Sequence, residues 1–115
     1  MDYAETMAFG AQQYADVLDH LASAGLRAAF TQTGGMCAAI EVALDSGAHI
    51  LITDEDDTLC WYRDEHRGWG VGIYGDEEWQ EQVAYDSCAD GSIEALLPLV
   101  HEVMRRAAAG HEGVR

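Results

Sequence analysis

The sequence predicts an α+β fold: a two-layer sandwich whose antiparallel sheet of four to five strands is covered on one face by N- and C-terminal helices. Three observations carry this. An apolar stripe at helical spacing follows residue 10, alternating segments broken by glycine-containing turns fill the middle, and a second helical stripe closes the chain. Strands with one apolar face must be covered, and two helices with matching stripes can cover them. At 115 residues the chain is one domain, long enough to bury a core without metals or disulfides. The expected boundaries are a loose arm over 1–10, a single α+β domain over 11–109 and a flexible C-terminus over 110–115.

The elements follow in order. Tyr14, Val17, Leu18 and Leu21 fall at i, i+3, i+4, i+7, one face of an amphipathic helix beginning near Ala11. Gly25 suits the left-handed position that ends it, with Leu26 placed to close the cap. "LRAAFTQT" and "MCAAIEVAL" alternate on either side of Gly34-Gly35, and Met36, Ala38, Ile40, Val42 and Leu44 share a face. "DSGA" is turn chemistry, with Asp45 able to bond nearby backbone and Gly47 free in φ. "HILIT", "TLCWYR" and "WGVGIY" are the next strands of an antiparallel meander. The segment 76–86 reads either as a short helix capped by Asp76 or as a turn into an edge strand near Gln82–Asp86, and the strand is favoured. Leu96, Leu97, Val100, Val103 and Met104 stripe the last helix, Ser92 is its N-cap, and Arg105 and Arg106 suit its C-terminal end. Pro98 removes a hydrogen bond there, so a kink near Glu94–Leu97 or a late start is expected.

Charge bounds the function. The net charge is -15, and the six basic side chains are all arginine: Arg27, Arg63, Arg67, Arg105, Arg106 and Arg115. Most of the 21 acids lie between Asp45 and Asp90, where the only arginines are Arg63 and Arg67. Phosphate affinity comes from cations, so direct binding to nucleic acid or an anionic membrane is disfavoured and a basic protein partner is favoured. No apolar run approaches the roughly 20 residues that span a bilayer. The opening "MDYAETMAFG" carries two acids and no base, the opposite of a secretory leader. The expected location is cytoplasmic, with Cys37, Cys60 and Cys88 as reduced thiols, two of them in strands.

Candidate sites were weighed against simpler readings. The run Asp54, Glu55, Asp56, Asp57 puts Asp54, Asp56, Thr58 and Glu65 at positions 1, 3, 5 and 12 of a calcium loop, but Leu59 occupies the position that needs glycine. A solvated hairpin turn is the better reading, and Asp54, Asp56 and Glu65 stay only a weak metal candidate. Gly70, Gly72 and Gly75 satisfy G-x-G-x-x-G, yet they sit inside a strand and precede Asp76-Glu77-Glu78, which repel phosphate. Those glycines open the second sheet face to close approach instead. A Cys37–His49 nucleophile pair has no local support. No cofactor is expected.

The second sheet face, with Cys37, Cys60, Tyr62, Gly70, Gly72 and Tyr74 among its small or amphipathic residues, is an interface candidate, for a homodimer or for a partner. The segments "GGMCAAI", "LITDEDD", "GWGVGIY" and "YDS" resemble short orphan proteins of actinobacteria and their phages, over about residues 12 to 104. That group has no activity to carry over, and the resemblance implies only a GC-rich or phage setting. The resulting expectation is a non-enzymatic interaction protein, DNA-mimic-like, that meets a basic host or defence protein through Asp54, Glu55, Asp56, Asp57, Asp64, Glu65, Asp76, Glu77, Glu78 and Glu81. The alternative is a small enzyme or a ligand- or calcium-binding domain with a pocket on the second sheet face, using Cys37, Cys60 or His49.

Overall fold

The computed structural model describes residues 3–34, 37–45, 47–55, 58–75 and 82–113. Helices α1 (Tyr3–Gln13) and α2 (Ala15–Ser23) precede strands β1 (Arg27–Gly34), β2 (Cys37–Ala43) and β3 (His49–Asp54). A 3-10 turn (Arg63–Glu65) leads to β4 (Trp69–Tyr74), β5 (Gln82–Cys88) and α3 (Ile93–Gly113). The five strands pair in sequence order, all antiparallel, so β1 and β5 are the edges. The expected α+β architecture is therefore present, an antiparallel sheet flanked by N- and C-terminal helices. The favoured strand at 82–86 forms as β5, whereas Asp76–Glu81 lie outside the described residues.

Alternation sorts the two faces. Phe30, Ile40, Ile52 and Val71 are mutual cross-strand neighbours, as are Val42, Ile50 and Ile73. They bury with Tyr14, Val17 and Leu21 from the first helices and with Leu96, Val100 and Val103 from α3. The α2 stripe thus lies where its spacing places it. Its C-terminus closes as expected: Gly25 has φ 85°, its N–H bonds the Ala22 carbonyl at 2.9 Å, and Leu26 N–H bonds the Leu21 carbonyl at 3.0 Å. Gly47, at φ 95°, turns β2 into β3. Asp45 beside it pairs with Arg27 at 3.3 Å.

Three expectations change. Residues 3–10 are helical rather than a loose arm. Met7, Gly10, Ala11 and Tyr14 form an i, i+3, i+4, i+7 face, but glycine and alanine carry so little hydrophobic signal that the period is hidden. Gly10 is there because a Cβ on it would lie 2.2 Å from the Phe30 ring. Second, "TLCWYR" is not a strand: only Leu59 bridges, to Ala38. The backbone partners come instead from the break between α1 and α2, where Tyr14 Oη donates to the Cys60 carbonyl at 2.6 Å and Arg63 N–H donates to Gln13 Oε1 at 2.8 Å. Third, α3 begins at Ile93 and runs through Pro98 to Gly113, with neither a late start nor the boundary at 109. Pro98 is exposed, and so is Glu94, whose carbonyl it leaves without a helical donor. Trp69 Nε1 donates to the Ser92 carbonyl at 2.7 Å, which ties the start of α3 to β4.

If α1 is packed as described, Gly10→Ala drives a methyl into the Phe30 ring. The expected loss is about 1–3 kcal/mol in urea unfolding, despite alanine's better helix propensity. An unchanged or raised midpoint would mean that residues 3–13 do not dock on the sheet.

Candidate functional site

Asp54 ends β3 in phase with Ile50 and Ile52, so its carboxylate turns to the helical side rather than to solvent. The following excursion returns at Leu59, and the 3-10 turn then delivers His66. Two donors converge on the carboxylate. His66 Nδ1 meets Oδ1 at 2.5 Å, and Cys60 Sγ donates to Oδ2 at 2.6 Å. The His66 side chain is 0% exposed and that of Asp54 13%. With a carboxylate at Nδ1, that nitrogen carries the ring proton. Nε2 is then left buried with no hydrogen-bond partner.

Aromatic rings wall the pair. The His66 ring lies 3.9 Å from Trp69 and edge-on to Tyr14 at 6.3 Å. Arg63 caps the group, its guanidinium 5.7 Å from the Tyr14 ring and 5.8 Å from Trp69 while it reaches Asp16 at 3.3 Å. Burial first, then the nearby Asp54 charge, raises the Tyr14 pKa, so the phenol stays protonated and serves as a donor. Burial lowers the His66 pKa below 6.5, and the hydrogen bond and charge of Asp54 only partly offset it.

The thiol and the imidazole both meet the same carboxylate, which orients the two side chains. Among the described residues, no group of three or more His, Cys, Asp and Glu side chains could hold a metal ion. The calcium candidates are dispersed: Asp54 has both oxygens engaged, Glu65 is exposed in the 3-10 turn, and Asp56 lies outside the described residues. A cavity of about 350 Å³ lies elsewhere, lined by Gly25, Leu26, Arg27, Ala43, Leu44, Asp45 and Met104. It contains none of Cys37, Cys60 and His49.

The second sheet face carries Ala29, Glu41, Leu51, Gly72 and Tyr85 in one cross-strand row, with the pair Thr31 and Ala39 and the run Thr53, Gly70 and Ser87 beside it. Close approach at Gly70 comes from within the chain, since a Cβ there would meet the Asp54 carbonyl and the Tyr85 hydroxyl, each at 2.7 Å. Tyr74 stacks on His49 at 5.9 Å. Cys60 and Tyr62 do not join this face. Cys60 turns to Asp54, and Tyr62 packs edge-on to Phe9 of α1 at 5.5 Å. Cys37 is exposed at the start of β2.

Of the predicted acids, Glu55, Asp64 and Glu65 are exposed near the Asp54 end of the sheet. Asp56, Asp57, Asp76, Glu77, Glu78 and Glu81 lie outside the described residues. The strand ends flanking the two runs are at opposite ends of the sheet, because Tyr74 pairs with His49 while Asp54 pairs with Trp69. His66, Tyr14 and Arg63 were not anticipated as a cluster. The available signal was the phase of Asp54, an acid at an inward position. In comparison with known proteins, no family model matches the chain, and no curated protein or solved structure matches it either. What fold and site define is a two-layer α+β domain with a buried carboxylate–imidazole–thiol cluster.

The pH consequence has a definite sign. The folded-state His66 pKa is lowered, so its contribution is intact above 6.5 and is lost as pH falls below that value towards the folded-state pKa. Unfolding free energies from urea titrations between about pH 8 and 5 should decline on the acid side with a slope of up to about 1.4 kcal/mol per pH unit. His66→Asn, which keeps an N–H donor, should flatten that slope. An equal slope in the variant would assign the acid sensitivity to another group.

Proposed function

We propose that this chain is a non-catalytic, phage-linked interaction protein that binds a basic host or defence protein through its acidic surface, with carboxylates standing where DNA phosphates would. The observation that carries this reading is how the arginines are used. Arg27 pairs with Asp45, Arg63 with Asp16, Arg105 with Glu102, and Arg106 with both Asp86 and Glu102. Four of the six arginines thus spend their charge within the chain, which supports a reading in which the excess of carboxylates meets the partner. Hydrogen bonds from Arg105 and Arg106 hold the Glu102 carboxyl down to about 2, so these ion pairs persist in mild acid. Such a surface accelerates encounter with a cationic groove and loses that advantage as salt rises.

Because the flanks of the two acidic runs leave the sheet at opposite ends, the two ends are tested separately. One variant carries Glu55→Gln, Asp64→Asn and Glu65→Gln, and the other carries Asp76→Asn, Glu77→Gln, Glu78→Gln and Glu81→Gln. Each is used with wild type to capture basic proteins from host lysate across a salt series, with duplex DNA as competitor. The expected result is a salt-sensitive partner displaced by DNA, with association slowed about tenfold or more by one of the variants. Capture that resists salt, ignores DNA and survives both variants would overturn the reading and move attention to the second sheet face.

A further inference from the structure

The two edges of the sheet are built differently. Leu59 N–H donates to the Ala38 carbonyl at 3.0 Å, while Gln32 of β1 lies opposite Ala38 on its other side. The backbone groups of Ala38 therefore point away from β1. Direction alternates along a strand, so Ala39, Glu41 and Ala43 are the β2 residues that bond β1, through Thr31, Ala29 and Arg27. The N–H and C=O groups of Ala28, Phe30 and Gln32 are left pointing out from the free edge. Among the described residues they meet only the Thr31 hydroxyl, which donates to the Gln32 carbonyl at 3.5 Å. The same alternation carried across the sheet turns Tyr85 and Ser87 outward on β5. That edge is obstructed: Ser87 N–H donates to Asp86 Oδ1 at 2.8 Å, and the other Asp86 oxygen pairs with Arg106 of α3 at 3.1 Å. A charged side chain bonded to an edge hinders the addition of another strand, and β1 has no such cap over residues 28–32.

We propose that the β1 edge is a self-association surface, on which a second copy of this chain lays its own β1 antiparallel and the two sheets become continuous. The outward groups define the register. A two-fold axis at Phe30 sets Phe30 against Phe30 of the second copy and Ala28 against its Gln32, each pair exchanging two backbone hydrogen bonds. All the outward groups from 28 to 32 are then used, which a shift of two residues in either direction does not achieve. On the open face, Ala29 of each copy lies beside Thr31 of the other, and both side chains are small and uncharged. Charge favours this edge for two copies of a chain with net charge -15. β1 contains no acid, and its one charged side chain, Arg27, pairs with Asp45, whereas β5 contains Asp86. The remaining charge of each copy repels the other, so the association strengthens as salt screens it. That sign is opposite to the one expected of a basic partner on the acidic surface. The two readings are independent, since none of the partner-facing carboxylates lies on β1.

The full chain is followed by sedimentation velocity over a concentration series at low and high salt. The expected result is a monomer–dimer equilibrium whose dissociation constant falls severalfold between about 0.02 M and about 0.5 M salt. Amide exchange of the wild type, read residue by residue by NMR, reports the register. Protection of the Ala28, Phe30 and Gln32 amides should rise with protein concentration, while that of Ala29 and Thr31, already bonded to β2, stays level. Ala28→Pro removes an outward donor that the fold does not use and fills the edge with the proline ring. It should keep the circular dichroism of the monomer and weaken the dimer about tenfold or more. A chain that stays monomeric at every concentration and salt would overturn the proposal. So would a dimer that a folded Ala28→Pro variant still forms, or one in which the alternating protection along β1 is missing.

Discussion

The Asp54 carboxylate is the constraint around which the rest of this structure is arranged. A carboxylate removed from water is tolerated only when its oxygens are hydrogen-bonded, and here His66 and Cys60 supply both bonds. Meeting that demand determines the path of the chain between β3 and β4. The segment must return at Leu59 to seal the core, present Cys60 to one oxygen, and turn once more to bring His66 to the other. Its backbone then takes partners from the first helices, through Tyr14 and Gln13. The His66 ring lies against Trp69, whose indole holds the first turn of α3. One acid thus connects β3, the long connection, the helical layer and the start of the last helix.

The two faces of the sheet differ in character. Its helical side is a continuous apolar cluster running from Tyr14 to Ala107. The other side is small and nearly uncharged, and Tyr85 fills the space above Gly70. In a chain of net charge -15, a face whose central row holds Glu41 as its one acid contrasts with the exposed carboxylates at the Asp54 end. Glu55, Asp64 and Glu65, the exposed acids at that end, lie beyond the end of β3 and in the 3-10 turn rather than on the sheet surface.

Sequence and structure differ where a signal was silent or two-sided. The first helix was hidden because its core-facing positions include Gly10 and Ala11, which register as neutral in a hydrophobic pattern and yet pack against Phe30. In the segment "TLCWYR", Leu59 and Trp61 face the core as their alternation places them, but Cys60 turns to Asp54 and Tyr62 to Phe9. Alternation reports side-chain direction, however, and cannot report where the backbone finds its hydrogen bonds. Pro98 raised the expectation of a kink or a late start, yet α3 begins at Ile93 and runs on through an exposed proline.

The sequence by itself determined the layers: which strand faces are apolar, where Gly25 and Gly47 turn the chain, and which stripes of α2 and α3 seek cover. These are short-range properties, set by periods of two and 3.6 and by the φ freedom of glycine. It also determined the charge, and with it the kind of partner worth testing. Only the tertiary structure decided that Asp54 is withdrawn from the acidic run to hold His66, that the strand ends beside the two runs lie at opposite ends of the sheet, and that Cys60 turns to Asp54. Each of those depends on register between segments distant in sequence. Register is set by the joint packing of the whole core, and no local pattern contains it.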